Sequence, residues 1–254
     1  MIFIADPYRE IFRQIGFAAE AVFTDPAIKP WRVLEDRENC TWDIPHAGRI
    51  FRLHVKRFPA MRGKSPAELE AEGYRLLRER GIPTVTVATW GTLDDGRSFI
   101  ATEDLAGYSP ADKLLESGLA FERLLIPTAD LASRLHAVGL HHRDLYLCHF
   151  MSPISENGAE IRLIDAARVR PLPGVLTRRR WIIKDLAQFW YSTLAANVSD
   201  RQRQDWLRHY CRNSELGDME SIRKSIVSKA AAIATHDAKL RRREPFRNIS
   251  IPKS

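Results

Sequence analysis

The stretch whose reading decides the fold is Gly139–Phe150, "GLHHRDLYLCHF". It closes a helical segment, sets His142-Arg143-Asp144 directly after it, and then runs into apolar residues. On its own the tripeptide is a weak signal, and its weight depends on whether the chain supplies the partners that chemistry at Asp144 requires. Downstream, "CHFM" and "EIRLID" have the pattern of two short apolar strands, separated by a turn containing Asn157-Gly158, a strong hairpin signal. Pairing these strands brings the loop bearing Asp144 and His149 beside Asp165. Two carboxylates from different segments then face one spot, where one can take a proton from a hydroxyl while the other holds a metal on a phosphate.

Working outward, the segment before Asp144 divides into two kinds of pattern. "WRVLEDRENCTWDI" and "RIFRLHVKRF" alternate as strands do; in the second, Phe51, Leu53 and Val55 share one face and Arg52, His54 and Lys56 the other. "SPAELEAEGYRLLRERG" reads as a helix, with Ser65 as N-cap, Pro66 as first helical residue, Glu68 as capping partner and Gly81 as stop. "TVTVATW" and "SFIATEDL" follow as strands around a turn at Asp95-Gly96. Asp6-Pro7 predicts the N-cap and first turn of a short opening helix. From Ser109 onward helical periodicity takes over, interrupted by the hairpin. The expected class is α+β, with a small β-rich lobe over residues 1–105, a larger helical lobe over 106–254, and the boundary near Leu105 to Tyr108.

The bulk composition is that of an ordinary globular protein of 254 residues. Three cysteines without C-x-x-C spacing suggest neither a disulfide framework nor a zinc site. No apolar run approaches the roughly eighteen residues of a membrane span, and the first residues do not read as a leader, so a cytoplasmic protein is expected. A formal charge of +7 biases the chain toward anionic partners, with Arg178-Arg179-Arg180 and Arg241-Arg242-Arg243 the densest basic runs. No clustered basic and aromatic motif supports nucleic-acid binding. Gly63-Lys64-Ser65 imitates the end of a P-loop, but Phe58 stands where its first glycine belongs.

Taken in order, "FRLHVKRF", "ELEAEGYRLLRERGIPT", "FIATEDL", "LASRLHAVGLHHRDLYLCHF", "IRLIDAARV" and "RRWIIKDLAQFWYSTL" resemble the protein-kinase-like bilobal fold. Within it they are similar to the bacterial lipopolysaccharide core kinases, the Kdo/WaaP heptose kinase-like family. The resemblance implies an ATP-dependent kinase, a phosphotransferase with an alcohol acceptor that uses Mg²⁺ and phosphorylates a sugar hydroxyl of lipopolysaccharide core or a related glycolipid. Heptose and Kdo both fit as acceptors. It implies Asp144 as catalytic base, with Lys56 and Arg143 as further catalytic residues, and Lys56, Glu70, Glu103 and Leu105 on the nucleotide side. Asp165 falls at the metal position, and His149 where protein kinases carry a metal-binding Asn. Asp185 is implied to brace the loop backbone, and His142 reads as a packing residue rather than a base. Glu70 is the implied partner of Lys56, although periodicity alone does not rank it over Glu72.

The chain departs from protein kinases in lacking a Gly-rich phosphate loop, in carrying His54 where a small residue covers adenine, and in having Asp165-Ala166-Ala167 in place of Asp-Phe-Gly. It also lacks an Ala-Pro-Glu segment, which argues against a peptide substrate. The basic surface suits peripheral contact with the anionic cytoplasmic face of the inner membrane. The competing expectation is a pseudokinase or binding module of the same fold that performs no transfer.

Overall fold

The computed structural model describes residues 1–154, 160–212 and 218–243, and these divide into two compact units. The first comprises Met1–Leu76 and Val85–Ala106, the second Leu77–Thr84 and Gly107 onward. The class is α+β, as expected. The Asn157-Gly158 turn and the tail over 244–254 lie outside the described residues.

In chain order the first unit contains β1 (Ile2–Ile4), α1 (Arg9–Gln14), α2 (Ala21–Thr24), β2 (Ile28–Val33), β3 (Glu38–His46), β4 (Arg49–Phe58), all but the last turn of α3 (Pro66–Glu79), β5 (Val87–Thr92) and β6 (Ser98–Glu103). The strands form an antiparallel sheet in the order β1-β5-β6-β4-β3-β2. β4 carries the expected alternation: Leu53 and Val55 are buried and Phe51 half-buried, while Arg52 and His54 face solvent. The buried face packs on an aromatic cluster in which Phe12 lies 4.8 Å from Phe17 and 5.7 Å from Trp42. Because successive residues of a strand point to opposite faces, Lys56 stands on the other side, toward α3.

α3 begins as its sequence dictates, with Ser65 Oγ accepting from the Glu68 amide at 3.2 Å, and Gly81 follows it at φ +67°, a left-handed position where Gly is unstrained. Two details of the first residues differ from expectation. Ile2–Ile4 pairs with β5 as an edge strand too short to show a period. Asp6 is not a cap: it begins a single 3-10 turn, and its carboxylate instead pairs with Arg9.

The second unit contains β7 (Tyr108–Pro110), α4 (Ala111–Glu116), α5 (Glu122–Ala137), β8 (Leu140–His141), β9 (Phe150–Pro153), β10 (Arg162–Leu163), β11 (Arg170–Pro171), α6 (Val175–Ala195), α7 (Asp200–Cys211) and α8 (Met219–Arg243). The expected hairpin is β9 against β10, with Phe150 opposite Leu163. β7 adds a third strand to it, and β8 pairs with β11. Around it, Phe150 meets Phe189 edge to face, Phe189, Trp206 and Tyr210 stack through α6 and α7, and Trp206 donates to Thr128 of α5. These buried rings anchor α6, the helix on which the loop after β8 rests.

Candidate active site

In the first unit, Lys56 Nζ lies 2.7 Å from Glu70 Oε1. The lysine side chain is 23% exposed and the glutamate 2%, so a buried carboxylate holds a partly exposed cation. Helical geometry explains why Glu70 holds this place. Residues 67, 70, 74 and 77 share the buried stripe of α3, whereas Glu68 and Glu72 lie about 160° away from Glu70 and both face Lys64. Glu103 is engaged locally: its carboxylate accepts from the Thr86 amide at 2.8 Å, and its own amide donates to the Thr86 carbonyl. Leu105 is half-buried, and His54 pairs with Asp104 at 2.7 Å on the exposed face.

In the second unit the loop between β8 and β9 is fixed from below by one face of α6. Asp185, fully buried, accepts from the amides of His142 at 2.6 Å and Arg143 at 2.8 Å. Burial by itself raises this carboxyl, but donation from His136 and the loop amides outweighs it, holding its pKa below the ordinary carboxylate value. Gln188 accepts from the Leu145 amide at 3.1 Å and donates to the Arg143 carbonyl at 2.8 Å, and Ser192 Oγ accepts from the Leu147 amide at 2.9 Å. The spacing of Asp185, Gln188 and Ser192, i, i+3 and i+7, is that of a single helical face. Sequence reasoning found only the first of the three. A polar stripe at helical spacing within an apolar helix was the signal for the others.

Asp144 emerges from this clamped loop with its side chain 27% exposed, next to Arg168 Nη1 at 3.3 Å. Arg143 adopts a left-handed backbone at φ +69°, and its guanidinium lies over the Trp181 ring, 4.9 Å from the centroid. That contact ties Arg143 to the scaffold. Asp165 is also left-handed, at φ +59°, and leads into a 3-10 turn over Ala166–Arg168. Two non-glycine residues in this region, each costing about 1–2 kcal/mol, mark the turns that present Asp144 and Asp165.

His149 joins the two. Its Nδ1 is 2.7 Å from the Asp144 carbonyl oxygen and its Nε2 is 3.6 Å from Asp165 Oδ2, while its amide bonds the Tyr146 carbonyl. Burial opposes the charged imidazole, but Cys148, Asp165 and the Asp144 carbonyl prevail and push its pKa up to about 10. His142 is buried within reach of the Ile164 carbonyl at 3.1 Å, and burial lowers its pKa, so it packs the loop as a neutral ring.

Among the described residues no group of three or more His, Cys, Asp and Glu side chains is arranged to hold a metal by itself. Asp165 suits the other common mode for Mg²⁺, in which one or two protein carboxylates share the ion with phosphate oxygens and water.

The model of the lipopolysaccharide kinase (Kdo/WaaP) family matches residues 47–210, a span that includes Lys56, Glu70, Asp144, His149, Asp165 and Asp185. The lipopolysaccharide core heptose(I) kinase WaaP of Pseudomonas aeruginosa is 28% identical over 210 residues, covering 72% of this chain and 77% of that protein. The protein of the same name from Escherichia coli is 29% identical over 208 residues, covering 75% and 77%. A chain of the CAK complex from Chaetomium thermophilum bound to ATP-gamma-S aligns over 72% of this chain and 67% of its own, at 10% identity and a TM-score of 0.48.

Proposed function

Since the chain belongs to the lipopolysaccharide kinase (Kdo/WaaP) family, we propose that it transfers the γ-phosphoryl group of ATP to a sugar hydroxyl, heptose or Kdo, of lipopolysaccharide core. The observation that carries this reading is the clamped loop, in which Asp185, Gln188 and Ser192 hold the backbone on both sides of a partly exposed Asp144.

In the proposed reaction Asp144 accepts the proton of the sugar hydroxyl, whose oxygen forms the new bond to phosphorus as the bond to the β-phosphate oxygen breaks and ADP departs. Lys56, held by Glu70, neutralises charge on the nucleotide phosphates. Arg168 lies against Asp144 and keeps its carboxylate oriented. Asp165 would hold Mg²⁺, which when bound offsets phosphate charge. His149 donates hydrogen bonds to the Asp144 carbonyl and toward Asp165, and Arg143 is a positioning residue anchored on Trp181. Glu103 and Leu105 border the nucleotide side, where the Glu103 carboxylate keeps the chain fixed on Thr86.

The charge of +7 suits a glycolipid acceptor presented at the cytoplasmic face of the inner membrane. Among the described residues no helix is long and apolar enough to cross a membrane, so contact with the bilayer would be peripheral. The test is to incubate the protein with ATP, Mg²⁺ and a panel of core oligosaccharides and to locate any added phosphate by mass spectrometry. One phosphate on a heptose or Kdo hydroxyl supports the reading. ATP binding without transfer to any member of the panel points to a binding module instead.

A further inference from the structure

A second feature of the helical unit lies outside the residues assigned above. α6 and α8 run side by side, with Arg179 donating to Ser221 near one end and Tyr191 donating to Asp237 at 2.6 Å near the other. Between them opens a groove of about 450 Å³. Arg179, Arg180 and Lys184 of α6 and Lys229 of α8 line it, together with the hydroxyl-bearing Ser225 and Ser228. No carboxylate lines it among the described residues.

Some cations of the chain pair with close carboxylates, as Arg13 does with Glu10, Arg52 with Asp43, Arg97 with Asp95 and Arg223 with Glu220. Among the described residues, Arg180, Lys184 and Lys229 have no such salt bridge. Like charges converging on a concave surface repel one another, and a multivalent anion relieves that repulsion. The groove is also coupled to the loop. Trp181, on its wall, carries Lys184 5.1 Å and Arg143 4.9 Å from its ring centroid and packs on His141 at 4.8 Å.

From this we propose that the α6/α8 groove is an anion-binding site for a phosphomonoester carried by the acceptor, so that the preferred acceptor is a glycolipid already bearing phosphate away from the hydroxyl that reacts. This rests on the acceptor reading above. Two arginines, two lysines and two hydroxyls match a dianionic tetrahedral group with several acceptor oxygens better than a single carboxylate, which one arginine would satisfy. A recess of this volume fits one discrete headgroup, whereas a bilayer presents a plane and engages protruding cations.

The test uses the full chain, Arg180→Glu/Lys229→Glu, and the milder Arg180→Gln/Lys229→Gln should charge reversal impair folding. Binding is measured by calorimetry without ATP, using a soluble disaccharide bearing one phosphomonoester, the same disaccharide lacking it, and phosphatidylcholine vesicles with and without phosphatidylglycerol. Expected are binding of the phosphorylated disaccharide at least ~10-fold tighter than of its neutral counterpart, and loss of at least ~10-fold in the charge-reversed variant with ATP affinity unchanged. Equal binding of the two sugars, an unaffected variant, or charge-dependent binding to vesicles alone overturns the proposal. Phosphoryl transfer separates the two readings. Transfer with an unchanged acceptor KM in the variant sinks the groove alone, whereas groove binding without transfer to any sugar sinks the kinase alone.

Discussion

The Lys56–Glu70 pair joins stability to the proposed chemistry. Glu70 is almost fully buried, so a neighbouring cation is the condition for its charge. Lys56→Ala is expected to destabilise the protein by about 3–5 kcal/mol, because it strands a buried carboxylate, whereas Lys56→Met/Glu70→Leu should recover most of that loss while remaining inactive. Urea denaturation of the two variants checks this, and equal stability losses would show that a stranded carboxylate is not the cause of the loss in Lys56→Ala. At the same scale, His149→Asn should retain measurable activity with Mg²⁺, since Asn still donates a hydrogen bond, and His149→Ala should lose considerably more. Activity in His149→Asn as low as in an Asp144 variant would instead assign His149 to the metal. The pairing of Lys56 was legible only in part. Strand alternation placed the lysine on the polar face, but ranking Glu70 above Glu72 required knowing which stripe of α3 turns inward.

The element that matters most is α6. Its inward face holds the loop through Asp185, Gln188 and Ser192, and these bonds make the loop part of the helix rather than a free connection. Gln188→Ala and Ser192→Ala should each cost about 1–3 kcal/mol, the penalty for leaving a buried loop amide unpaired, and should lower kcat more than they raise the KM for ATP. A change confined to the KM for ATP would show that the loop does not depend on this face. Asp185 adds a dependence on pH. Its folded pKa lies below the ordinary value, so its stabilising contribution is complete above about pH 4 and is lost as pH falls through the folded value. Asp185→Asn should therefore be less stable than wild type at neutral pH, with the two converging as acid protonates the wild-type carboxyl. Parallel stability curves down to the lowest accessible pH would contradict this. The helix itself was evident from its apolar run. Its function as a clamp was visible in sequence only at Asp185, because Gln and Ser in a helix are ordinarily read as solvent-facing.

At the scale of the whole molecule, the order of patterns along the chain was the most legible feature. Strands of period two gave way after Ser109 to helical periodicity broken by one hairpin, and the α+β class follows from that order. The short strands β1, β7, β8 and β11 were not evident, since two or three residues carry no period and are strands only because a partner pairs with them. Arg168 was overlooked for a related reason. It stands 24 residues from Asp144, and only the turn after Asp165 brings their side chains together. The measurement that bears most directly on the account is single-turnover transfer from γ-labelled ATP to lipopolysaccharide core oligosaccharide, comparing wild type with Asp144→Asn at matched folding and nucleotide affinity. The account predicts label on a sugar hydroxyl with wild type and a rate at least ~100-fold lower with Asp144→Asn. Transfer at a near-normal rate in the Asn variant would contradict it.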